Sequence, residues 1–140
     1  MTAILTACLT VAGMLAAEHN TDAERFGTCL RVGIEAHAQG VDVPLALAVA
    51  WRESRFDAGA VSSVGAVGPM QVVPRWWCPG GRRDGCDLVT AGVGALRALT
   101  SRHGVRAGLA RYNGGNRPSR AAWAYSEQVQ RLALRIGGET

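Results

Sequence analysis

Apolar residues recur along this chain at helical rather than strand spacing. Phe26, Leu30, Ile34 and Ala38 fall one turn apart, which predicts a helix capped by Thr21-Asp22, running to about Gln39 and ended by Gly40. Asp42 is placed to cap the next helix, and Pro44 sits in its first turn, where a missing N–H costs nothing. The middle of that helix, residues 45–51, is apolar on nearly all sides, the mark of a core helix, and its end carries Arg52, Glu53 and Ser54. Gly, Ser and Ala dominate residues 57–68, which read as a loop, and a short apolar helix is expected over 69–77. Asp87 then caps a helix reaching about His103, and Gly104 stops it. A short helix over 105–112 ends at Asn113-Gly114-Gly115-Asn116, and Arg117-Pro118-Ser119 opens a last helix to about Ile136. No stretch alternates convincingly with period two, and no repeat or long linker interrupts the pattern. The expected fold is all-α, a single domain with one buried helix among five or six others and at most a trivial hairpin.

The first seventeen residues change the picture at one end, because they carry no charged side chain. Three readings stay open: a secretory signal peptide with its small-residue exit near Ala16-Ala17, a weakly apolar signal anchor, or a buried first helix of the domain. Export or anchoring is the expectation, which divides the chain into a leader over 1–20 and a folded domain over 21–140. Leu5-Thr6-Ala7-Cys8 resembles a lipoprotein cleavage box, but too few residues precede it for an apolar region.

Composition sets the class. With 48% apolar and 19% charged residues, a chain of 140 can bury a core, and general disorder is excluded. The net charge of +4 comes from fifteen arginines and no lysine, and it suits an anionic polymer. Basic residues are too scattered for a nucleic-acid surface, so nucleic acid is not an expected partner. Four of the eight aromatics are Trp, a residue that lines sugar sites but for each of which core filling is the favoured reading.

Cys8, Cys29, Cys78 and Cys86 have no zinc spacing. Cys78 and Cys86 flank a Gly-rich loop that a disulfide could staple, with two free thiols as the alternative. Removal of the leader would leave Cys29 unpaired, and its retention would allow a Cys8–Cys29 bridge. His19, His37 and His103 are scattered, so no metal site is expected, and no phosphate loop, dinucleotide fingerprint or Ser-His-Asp arrangement appears.

Glu53 is the most informative residue. A carboxyl group at the end of so apolar a helix has its charged form disfavoured, and a raised pKa is what a general acid needs near neutral pH. The local pattern alone favours a surface Glu paired with Arg52 or Arg55. The surrounding motifs change that balance. Trp51-Arg52-Glu53-Ser54-Arg55-Phe56 resembles the glutamate–serine motif of the SLT-type lytic transglycosylases, members of the goose-type-lysozyme-like superfamily. Residues 62–74, containing Gly65, Gly68, Met70 and Gln71, are similar to that family's second motif. Arg111-Tyr112-Asn113-Gly114-Gly115 resembles the third, and Tyr125 with Val129 matches the spacing of a fourth. Pro69 stands where the family commonly has Leu, and Arg111 where it has a small residue.

The resemblance implies a lysozyme-like fold and cleavage of peptidoglycan strands between N-acetylmuramic acid and N-acetylglucosamine. It implies Glu53 as the single acid and base, giving a 1,6-anhydromuramoyl end without water. Ser54 would orient Glu53 or the substrate. Met70 and Gln71 would line the cleft, although ordinary core packing is the alternative for Met70. Tyr112 and Asn113 would hold the muramoyl group or support the Glu53 carboxyl, and Tyr125 would bond near it. No cofactor is implied, a monomer in the cell envelope is expected, and the N-terminus is a candidate anchor. A secretion apparatus, a phage and wall turnover all remain open as settings. Two-carboxylate glycosidases need a second acid, and Asp57 and Glu127 read as solvated residues. A hydrolytic muramidase of the same fold and a non-catalytic wall-binding component are the alternatives.

Overall fold

Seven consecutive residues, 45–51, are all buried, and the rest of the molecule is arranged around the helix that carries them. The computed structural model describes residues 1–20 and 22–138. Among the described residues seven α-helices follow one another: α1 (Thr2–Ala17), α2 (Ala23–Ala38), α3 (Val43–Ser54), α4 (Pro74–Trp77), α5 (Leu88–His103), α6 (Val105–Gly114) and α7 (Arg120–Ile136). A 3-10 turn, Pro79–Gly81, lies between α4 and α5. The only pairing outside helices among the described residues is two isolated antiparallel bridges, Val61 with Val67 and Val67 with Val72. The all-α expectation therefore holds, with a vestigial hairpin.

Short side chains start the helices where the sequence suggested. Asp22 accepts a hydrogen bond from the Arg25 N–H at 2.7 Å, while Thr21 lies outside the described residues. Asp42 accepts from Leu45, Asp87 from Val89 and Thr90, and Ser119 from Ala122. Each satisfies N–H groups that the first helical turn leaves unpaired.

Two expectations need correction. The inward face of α2 is Cys29, Val32, Gly33 and Ala36, not the stripe of Phe26, Leu30, Ile34 and Ala38, and Ile34 is 44% exposed. Small residues win this face because they let helices approach closely: a Cβ on Gly33 would stand 2.7 Å from Ile4 Cγ2. The helix expected over 69–77 is only α4, a single turn. Residues 69–73 cannot join it, because Gln71 takes a left-handed φ of 53° and its N–H closes a turn on Gly68.

Helix α1 packs on α2 with Ile4, Ala7, Cys8, Val11, Met14 and Leu15 buried, and Cys8 is bridged to Cys29. Cys78 is bridged to Cys86. No helix among the described residues is long and apolar enough to cross a membrane. Helix α3 lies between α2 and α7, and α6 joins α5 to α7. The last turn of α3 thus meets the middle of α7 at one end of the bundle.

Candidate active site

The turn that ends α3 sets the direction of everything at its tip. Arg55 and Phe56 both have left-handed backbones, with φ of 54° and 61°. Bulky residues adopt that conformation only when their surroundings hold them there. Phe56 is fully buried. The Arg55 guanidinium donates to Glu18 Oε1 and to the Trp51 carbonyl, each at 2.8 Å, and lies over the Trp51 ring. Arg25 donates to the Arg55 carbonyl at 2.7 Å. The chain therefore reverses two residues after Glu53, so Glu53 stands at a helix tip with a loop folded back beneath it.

Among the described residues Glu53 makes no salt bridge, and neither Arg52 nor Arg55 pairs with it. Instead Tyr125 of α7 donates its hydroxyl to Glu53 Oε2 at 2.7 Å. Burial pushes the Glu53 pKa up, while the Tyr125 hydrogen bond and the Arg52 charge pull it down, and burial prevails. Arg52 itself turns toward α7, over the Tyr125 ring and onto Gln128 Oε1. Tyr112 of α6 stands near enough that the Glu53 charge, after burial, raises its phenol well above the usual value. Burial and the same charge do likewise for Tyr125. Both phenols stay neutral donors beside a carboxyl group that is readily protonated.

The remaining sequence candidates divide. Ser54 donates to the Pro69 carbonyl at 2.7 Å rather than to Glu53, tying the end of α3 to the 66–72 segment. Met70 is fully buried, so its side chain packs in the core rather than lining a cleft, and its carbonyl accepts the Tyr112 hydroxyl at 2.6 Å. A Cβ on Gly92 of α5 would lie 2.6 Å from Met70 Cβ, so α5 leaves that space for Met70. The Gln71 amide donates to the carbonyls of Ala60 and Gly68, bracing the loop from within. Asn113 is exposed near the end of α6, and its side chain has no hydrogen-bond partner among the described residues. Glu53, Tyr112 and Tyr125 are thus brought together, Ser54, Met70 and Gln71 frame them, and Asn113 stands at the rim. Asp57 accepts from Gly59 in an exposed turn, and Glu127 is exposed.

Tyr112 also walls a cleft of about 580 Å³, together with Gln71, Val73, Trp76, Trp77 and Arg111. Trp51 is buried, but Trp76 and Trp77 are 67% and 37% exposed, so core filling fails for these two. The sequence signal for them was the paired Trp beside a Gly-rich loop. The Cys78–Cys86 bridge and the 3-10 turn, which packs Gly81 against the Arg75 backbone, hold that pair in place. Among the described residues no three His, Cys, Asp or Glu side chains gather as a metal site.

A protonatable carboxyl group held by a phenol beside an open, aromatic-walled cleft is equipped to donate a proton to a bound polymer and take one back. Compared with known families, the chain matches the transglycosylase SLT domain over residues 32–133. No curated protein and no solved structure matches it.

Proposed function

The chain belongs to the transglycosylase SLT domain family, an enzyme family that lyses peptidoglycan, and from that premise we propose that Glu53 is the acid and base of its reaction. The bond broken is the β-1,4 link between N-acetylmuramic acid and N-acetylglucosamine. Oε2 of Glu53 is occupied as an acceptor of the Tyr125 hydroxyl, which leaves Oε1 to carry the acidic proton. That proton passes to the glycosidic oxygen as the bond from muramoyl C1 breaks, and N-acetylglucosamine leaves with a free hydroxyl. The muramoyl N-acetyl oxygen stabilises the oxocarbenium-like centre. The Glu53 carboxylate then takes the proton of the C6 hydroxyl as O6 closes on C1. Glu53 ends protonated, no water is consumed, and the product carries a 1,6-anhydro ring.

The observation that carries this reading is the half-buried Glu53 bonded to Tyr125, with no second carboxylate among the described residues acting on its ionisation. A hydrolase with paired acids needs a partner about 5–9.5 Å across the bond. Ser54 and Met70 support the site by shaping the loop under the substrate rather than by direct contact, Gln71 braces that loop and also lines the cleft, and Asn113 is free to meet sugar at the rim. Two disulfides, which leave no free cysteine, favour an oxidising compartment such as the cell envelope.

Mass analysis of muropeptides released from purified sacculi tests the proposal. Ends in 1,6-anhydromuramic acid from the wild type, absent with Glu53→Gln, are expected. Reducing ends would make the enzyme a hydrolase. No products from folded wild type would favour the wall-binding alternative.

A further inference from the structure

Arg111 is the one cation in the wall of the 580 Å³ cleft, and no Asp or Glu shares that wall. It is half-buried and has no ion pair or side-chain hydrogen bond among the described residues. Other arginines near the site are occupied. Arg52 bonds Gln128, Arg55 bonds Glu18 and the Trp51 carbonyl, Arg25 bonds Asp22 and the Arg55 carbonyl, and Arg75 stacks on Trp76. Arg111 also lies in a positive neighbourhood: desolvation first, and then the charges of Arg111 and Arg102, push the His103 imidazole below its usual pKa. An unpaired guanidinium held partly out of water favours an anionic partner, above all a carboxylate that can take two of its N–H groups.

Trp76 lines the same cleft, one face of its ring covered by the Arg75 guanidinium 4.9 Å from the centroid. The wall is otherwise apolar or neutral, with Val72, Val73, Trp77 and Leu99. It fits a ligand that joins an apolar or sugar surface to a carboxylate. Tyr112 belongs both to this wall and to the surroundings of Glu53, and it immediately follows Arg111 on α6.

We propose that Arg111 binds a carboxylate of the peptide stem attached to the muramoyl residue, so that the cleft distinguishes glycan with stems from glycan stripped of them. The inference rests on the peptidoglycan reading given above. It adds a specificity residue that does not touch the reacting atoms.

Binding separates the two. The full chain carrying Glu53→Gln, which leaves ligand intact, is titrated by calorimetry with two soluble glycan tetrasaccharides. One bears tripeptide stems; in the other an amidase has removed them and the lactyl carboxylates so freed have been capped as amides. The stem-bearing ligand is expected to bind about tenfold tighter, or about 1.4 kcal/mol. Adding Arg111→Ala should bring the ratio of the two affinities to about one, and Arg111→Lys should restore part of it. A ratio unchanged by Arg111→Ala overturns the assignment of Arg111 while leaving the peptidoglycan reading intact. Equal affinity for both ligands in the parent protein overturns stem recognition itself. Failure to bind either glycan, by protein whose melting transition is cooperative, overturns the peptidoglycan reading and this inference together.

Discussion

Tyr125 and Glu53 are 72 residues apart in the chain, and the phenol of one donates to the carboxyl group of the other over 2.7 Å. A phenol that donates to Oε2 leaves Oε1 as the oxygen for the acidic proton. The same bond lowers a pKa that burial raises, so it tunes the acid as well as orienting it. In Tyr125→Phe the Glu53 pKa should rise further. On the proposed mechanism cleavage needs Glu53 protonated, so activity is expected to fall as pH rises through that pKa. The alkaline limb of the kcat/KM profile should therefore move to higher pH, with about a tenfold loss at the optimum. A profile that falls in height without moving would show that Tyr125 only packs.

Glu53→Gln should lower turnover of sacculi by about 10²–10⁴-fold while keeping the fold, because Gln can still accept from Tyr125. It should also change stability in a pH-dependent way. The folded pKa of Glu53 lies above its unfolded value, so the protonated native form is favoured. That stability is fully present below the unfolded pKa and is lost as pH rises through the folded one. The Gln variant has no such loss, so it should melt higher than wild type at neutral pH, and the gap should close at acid pH. Parallel melting curves at every pH would contradict the raised pKa.

Gly92→Ala probes the loop under the site. The added Cβ would meet Met70 Cβ at 2.6 Å, and the Met70 carbonyl holds the Tyr112 hydroxyl. Overpacking of this kind costs about 1–3 kcal/mol, which exceeds the helix propensity gained from Ala. A lowered urea midpoint with reduced activity is expected, and a midpoint that stays level or rises would count against the close packing of α5 on this loop.

Cys8→Ala with Cys29→Ala should cost about 3 kcal/mol, from the entropy released to an unfolded chain no longer closed over 21 residues. Denaturant curves under non-reducing conditions measure it. No change in midpoint would mean that the bridge contributes nothing to the packing of α1.

Much of the helical frame was legible because its signals are local. Asp87 caps α5 and Gly104 ends it as the side-chain chemistry suggests, and the all-apolar run of α3 is buried as expected. What was not legible depends on distant contacts. The left-handed backbones at Arg55 and Phe56 have no local signature, and Arg25 of α2 with Glu18, just past the end of α1, holds that turn. The inward face of α2 follows its smallest residues, which a search for large apolar side chains passes over. At the site, Glu53 and Tyr125 were visible through the family resemblance, whereas Arg111 and Trp76 gained meaning only when folding put them on one wall. Ser54 and Met70 illustrate a subtler gap. Both belong to recognisable motifs, yet here they act through backbone carbonyls, which the sequence does not reveal.

The distance in sequence between Glu53 and Tyr125 has a consequence for a cell that makes this enzyme. Tyr125 belongs to α7, and until α7 docks on α3 the Glu53 carboxyl group lacks the phenol that bonds it. On the proposed reading the acid is therefore armed by folding itself: an opened bundle carries the carboxyl group without its partner.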